Sequence, residues 1–217
     1  MLLLILVVAA EARLLFSEDY LGTPDLSAIT GFFQRQPADW RLILVNADHA
    51  VPKGYEVELT HLSNGVDVDS RIYPDLQRMF DDARAQGVNP TVVEGYRSHE
   101  AQAAMMQSYV DRYAAQGYSQ SEAREMAREY VAEPGTSEHE LGIAVDVGPA
   151  GSSTADQVYG WLAEHAWDYG FILRYPADGE EITGIAYEPW HYRYVGPEAA
   201  QEIRARGVTL EEYLKKR

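Results

Sequence analysis

Apolar positions in this chain change period several times, and each change marks an element. Ile72, Leu76, Met79, Phe80 and Ala83 recur at helical spacing with Gly87 as a stop, which predicts a helix over about 72–86. Residues 41–46 and 91–94 are short apolar and β-branched runs that read as strands. Residues 99–116 read as a helix ending at Gly117. Ser119-Gln-Ser-Glu122 forms a capping box that opens another helix to about 132, broken by Pro134-Gly135. Beyond it, Ile143, Val145 and Val147 alternate with Gly142, Ala144 and Asp146, the period of two of a strand. An amphipathic stretch over 157–169 stops at Gly170, and 171–174 and 191–195 read as strands. The Asp-, Glu- and Gly-rich loop 177–184 between them is expected to act as a mobile lid. Pro197 opens a helix, and Thr209-Leu-Glu-Glu212 caps a last short one. This order predicts an α+β fold: a single domain with a small, mainly antiparallel sheet flanked by helices.

The same alternation places chemistry. With Ile143, Val145 and Val147 facing a core, Asp146 points the other way, on a face cleared by Gly142 and Ala144. His191 opens the run His-Tyr-Arg-Tyr-Val195 and can reach the same sheet face. With His139 they make two imidazoles and one carboxylate, a set that suits zinc with a coordination position left for water. Other divalent ions fit such a set as well. Glu188 stands three residues before His191, with Pro189 fixing a backbone dihedral between them, and is the candidate general base. A lone strand histidine is more often structural than a ligand; it is the combination that points to a metal.

Composition narrows the partners. The 217 residues are 46% hydrophobic and 24% charged, enough for one core that buries on the order of 70% of the unfolded surface. The chain has no cysteine, which leaves histidines and carboxylates for any metal. A net charge of -16 argues against nucleic acid and anionic membranes. No obligatory protein partner is evident. Residues 1–39 form a separate lead-in to the domain at 40–217. Its apolar run from Leu2 to Ala10 is far shorter than the roughly 20 residues of a membrane-spanning helix. Ala10-Glu-Ala12 has the small-x-small form of a signal-peptidase site, but no basic segment precedes it. An export signal remnant, a packed N-terminal element and a misplaced start remain open.

Several spaced motifs carry a resemblance. Ser137-x-His-x-x-Gly-x-Ala-x-Asp146 and Glu188-Pro-Trp-His-Tyr-Arg-Tyr-Val-Gly196 resemble the VanY-type D-alanyl-D-alanine carboxypeptidases, zinc peptidases grouped with the D-Ala-D-Ala dipeptidases and the hedgehog metal-binding domain. Leu42-Ile-Leu-Val-Asn46 with Val51-Pro, Glu94-Gly-Tyr-Arg-Ser98 with Gln102, and Gly170-Phe-Ile-Leu-Arg-Tyr-Pro176 fit the same group, from about residue 40 to 200. The resemblance implies one zinc ion on His139, Asp146 and His191, and Glu188 as base. It implies a peptidoglycan stem peptide as substrate, and hence a cell-envelope or extracellular location. Arg97 is expected to bind the terminal carboxylate or to polarise the scissile carbonyl, assisted by Ser137 and Gln102, with Tyr175 and Trp190 lining the site. Two positions depart from the pattern. Glu94 stands where a small polar residue is expected, and His99, in place of an aromatic, can enter the site and alter specificity. An L,D-carboxypeptidase, a cell-wall endopeptidase and a non-catalytic zinc module are the rival readings.

Overall fold

The computed structural model describes residues 39–216, so the expectations for the lead-in lie outside the described residues apart from Asp39. A hairpin of β1 (Leu59–His61) and β2 (Asp67–Asp69) precedes α1 (Tyr73–Ala85). β3 (Pro90–Glu94) leads into the helical pair α2 (His99–Ala114) and α3 (Gln120–Arg128). There follow β4 (Ala144–Pro149), α4 (Ala155–His165), β5 (Phe171–Leu173), the single turn α5 (Glu180–Thr183), β6 (His191–Tyr194), α6 (Pro197–Arg206) and α7 (Leu210–Lys215). Four of the strands form one antiparallel sheet in the order β3-β4-β6-β5.

The period-two alternation decides how the sheet is covered. Val145 and Val147 of β4 and Phe171 of β5 pack with Leu76, Met79 and Phe80 of α1 and Val158, Trp161 and Leu162 of α4. Each large side chain so buried stabilises by about 1.5–3 kcal/mol. Ile172, next to Phe171, joins a different cluster with Ala199, Ile203, Leu210 and Tyr213 from α6 and α7, because successive strand residues face opposite sides. A third cluster of Met106, Val110, Ala123, Ala127 and Val131 belongs to α2 and α3 and the turn after them.

Several boundaries differ from the sequence expectation. Residues 41–46 are not a strand: Trp40–Leu42 is a 3-10 turn, and only an isolated bridge joins Asn46 to His49. The carbonyls of Arg41 and Ile43 accept from the guanidinium of buried Arg193 instead of from a neighbouring strand. The helix opened by the Ser119 capping box stops at Arg128, because Val131 turns back into the α2–α3 cluster. The stretch 157–169 tightens into a 3-10 turn at Ala166–Tyr169. The 177–184 segment contains α5, with Gly179 seated close to Pro176 and Thr209 and with Thr183 buried. The β1–β2 hairpin was not foreseen, since its strands have three residues each and carry polar side chains.

Candidate metal centre

Strand register brings two of the three expected ligands together. Asp146 of β4 and His191 of β6 are direct partners across the antiparallel pair, which sets their side chains side by side on one face. His191 Nδ1 lies 3.0 Å from Asp146 Oδ1. His139 arrives from the 3-10 turn Glu138–Leu141, which ends at Gly142 in the left-handed region (φ 73°). A Cβ at Gly142 would sit 3.1 Å from Val57 Cγ2 and 3.3 Å from the Asp69 nitrogen, so conformation and space both call for glycine there. His139 Nδ1 bonds the Gly95 carbonyl at 2.8 Å, which turns Nε2 toward Asp146 Oδ1, 3.6 Å away. The backbone comes so close at Gly95 that a Cβ would meet the Asp67 carbonyl at 2.2 Å.

The donor set fits a cation. One ligand atom from each of His139, Asp146 and His191 lies within 4.8 Å of the others, the one such group among the described residues. Asp146 Oδ1 is buried and has no hydrogen-bond partner, a costly state that an ion would relieve. Burial opposes ionisation of Asp146, but the two imidazoles outweigh it and hold the carboxyl well below the usual range. Burial likewise opposes protonation of His191, yet Asp146 and Glu138 raise it to about 9, and a bound metal takes that proton's place.

Glu188 owes its position to a turn. The His191 nitrogen donates to the Glu188 carbonyl at 3.1 Å, closing Glu188-Pro189-Trp190-His191 with proline at the position that favours its fixed dihedral. Its Oε2 thereby lies 3.7 Å from His191 Nδ1. Burial pushes its carboxyl above the ordinary range, against the pull of His191. Tyr175 packs its ring 4.9 Å from that of His191, and its carbonyl accepts from the Glu188 nitrogen. Trp190 is 38% exposed beside them.

Arg97 sits next to the ligands but is already engaged. Its backbone nitrogen donates to the His139 carbonyl at 3.1 Å. A register shift between Val92 and Glu94 sets Glu94 opposite Asp146. From there Glu94 accepts from Arg97 Nε at 2.7 Å and pairs with Nη2 at 2.5 Å. Gln102 is fully buried; its carbonyl takes Arg97 Nη1 at 2.6 Å and its amide donates to the Ala132 carbonyl. Gln102, expected to assist Arg97, has both ends of its side chain engaged and holds the Arg97 guanidinium. One N–H on each Nη remains for a ligand. Ser137, 5% exposed, makes no capping bond with its hydroxyl. His99 does not enter the site; it bonds Glu140 at 3.0 Å, and 62% of its side chain is exposed. His165 lies against Trp161.

Sequence reasoning missed the charged layer behind His191. Glu138, Arg174 and Arg193 are buried, with Glu211 of α7 at 5% exposure. Their one signal was charge inside apolar strand runs, as in Phe171-Ile-Leu-Arg174 and His191-Tyr-Arg193. A separate cavity of about 290 Å³, lined among others by Arg41, Glu198, Glu202 and Arg206, touches none of the metal ligands.

Comparison with known proteins gives the family. The family described as "VanY: D-alanyl-D-alanine carboxypeptidase" matches residues 65–197. A D-alanyl-D-alanine carboxypeptidase of Enterococcus faecalis is 52% identical over 83% of this chain and 68% of its own length. A bifunctional D-Ala-D-Ala dipeptidase and carboxypeptidase of Enterococcus gallinarum is 36% identical over 79% and 92%. Among solved structures, a mutant vancomycin-resistance D,D-pentapeptidase VanY in complex with Zn(II) is 53% identical, with a TM-score of 0.76 over 81% of this chain and 99% of that one. An LD-carboxypeptidase, LdcB, is 33% identical at a TM-score of 0.68, over 80% and 85%. Site geometry, family match and zinc-bound relative converge: the chain is a zinc peptidase and belongs to the VanY family of D-alanyl-D-alanine carboxypeptidases.

Proposed function

We propose that this enzyme removes the terminal D-alanine from peptidoglycan stem peptides ending in D-Ala-D-Ala, with His139, Asp146 and His191 as zinc ligands and Glu188 as general base. The observation that carries the residue roles is Glu188 Oε2 at 3.7 Å from His191 Nδ1, beside the unpartnered Asp146 Oδ1. Zinc held there would supply Lewis acidity, lowering the pKa of a coordinated water to about 7. Glu188 takes the proton of the attacking water and passes it to the departing amine. Its raised carboxyl pKa suits the second half of that task. Arg97, fixed by Glu94 and Gln102, offers its remaining N–H groups to the substrate carboxylate or scissile carbonyl. Ser137, Tyr175 and Trp190 border the same space.

The D,D assignment is supported by 53% identity to a D,D-pentapeptidase and by a further VanY structure, also 53% identical, in complex with D-alanine-D-alanine. The LD-carboxypeptidase relative stands at 33%. A wall-peptide substrate supports a cell-envelope or extracellular location. D-alanine release from pentapeptide and from tetrapeptide, each with and without chelator, tests the specificity. Chelator-sensitive release from the pentapeptide is expected; cleavage of the tetrapeptide alone sinks the D,D reading. In Glu188→Ala, turnover is expected to vanish while zinc stays bound. Undiminished activity there would remove Glu188 from the mechanism, and loss of zinc would recast it as a ligand.

A further inference from the structure

We propose that Glu138 is a positioning residue of the metal centre, the buried acceptor that decides which nitrogen His191 presents to the ion. The inference rests on the assignment of His191 as a ligand. Glu138 has no exposed side-chain surface. Its Oε1 accepts from Arg174 Nε at 2.8 Å and from Arg193 Nη1 at 2.7 Å. Its Oε2 has no hydrogen-bond partner and lies 3.6 Å from His191 Nε2, which also has none. A carboxylate present only to neutralise two arginines would spread them over both oxygens. Here one oxygen takes both, and the other is left facing the imidazole.

The surroundings fix that oxygen in place. Arg193 spends Nε on the Tyr194 carbonyl and Nη2 on the carbonyls of Arg41 and Ile43. Arg174 spends Nη1 and Nη2 on Glu211 of α7, at 3.0 and 2.6 Å. Two arginines and two glutamates cancel in charge, so the cluster stays ionised although it is buried. An acceptor oxygen behind Nε2 keeps the proton on that nitrogen and leaves the Nδ1 lone pair, 3.0 Å from Asp146 Oδ1, for the metal. His139 reaches the same end by the opposite tautomer, since its Nδ1 bonds a carbonyl. The C-terminal helix thus takes part in the metal centre through Glu211, Arg174 and Glu138.

Glu138→Gln tests this. With its carbonyl held by the two arginines, the new amide would turn N–H groups toward His191 Nε2, donor against donor. Zinc affinity of the full chain, measured by competition with a chelating dye, is expected to fall about 10- to 100-fold. Because that variant removes a buried charge and can fail to fold, ¹⁵N imidazole spectra of the zinc-loaded unsubstituted protein give a second measurement. They are expected to show His191 protonated at Nε2 and His139 at Nδ1. A folded Glu138→Gln protein with unchanged zinc affinity, or a zinc-loaded His191 without a proton at Nε2, would overturn the proposal. A protein that takes up no zinc at all would instead overturn the ligand assignment beneath it.

Discussion

His191 and Arg97 lie on two sides of one site and are held in different ways. His191 is part of a central strand, paired in register with Asp146, with a ring against it and a buried ion cluster behind it. Arg97 follows the end of β3, an edge strand of its sheet, and is steered by Glu94, 34% exposed, and by Gln102 on α2. Behind His191 stand the two large clusters on either side of the sheet; behind Gln102 stands the small α2–α3 cluster. The ion-binding side is therefore over-determined, while the substrate side depends on a few polar contacts that single substitutions can retune.

The largest effect is expected on the first side. Asp146→Ala should abolish zinc uptake and bring activity below detection, and it should also destabilise the metal-free protein, because the buried His191 imidazole loses the carboxylate 3.0 Å from its Nδ1. Metal analysis and thermal unfolding of the same sample check both parts, and retained zinc would contradict the ligand set. Next, Arg97→Lys should leave zinc content unchanged and raise KM by about 10- to 100-fold, as a lost charge-assisted hydrogen bond worth about 1.5–3 kcal/mol implies. A fall in zinc affinity in that variant would mean that the two sides are not separable. The smallest effect on the chemistry is expected from Met106→Ala. It should cost about 2–5 kcal/mol of packing in the α2–α3 cluster, seen as faster amide exchange in those helices, with zinc affinity untouched.

What the sequence disclosed follows the same division. Period-two alternation around Asp146 and His191, the Pro189 turn and the capping boxes at Ser119 and Thr209 are local signals, and the elements they announce are present. Residues 41–46 misled because their backbone acceptors are claimed by Arg193, a partner more than a hundred positions away in the chain. The β1–β2 hairpin left only Asn64-Gly65 as a turn signal between very short strands. Arg97 stood out in the sequence as a candidate to bind a terminal carboxylate or polarise a scissile carbonyl, but its engagement by Glu94 depends on the irregular register of β3 against β4, which no pattern of residue types announces.

The pairing of Asp146 with His191 has a consequence for how the chain assembles. A slip of one residue between β4 and β6 would turn His191 to the opposite face and dismantle the ligand set. The ion can thus be captured only after two strands distant in sequence have met in one alignment, and once captured it penalises every other alignment. On the proposed ligand assignment, zinc would act as a proofreader of folding, and a chain that holds it would already have passed the check.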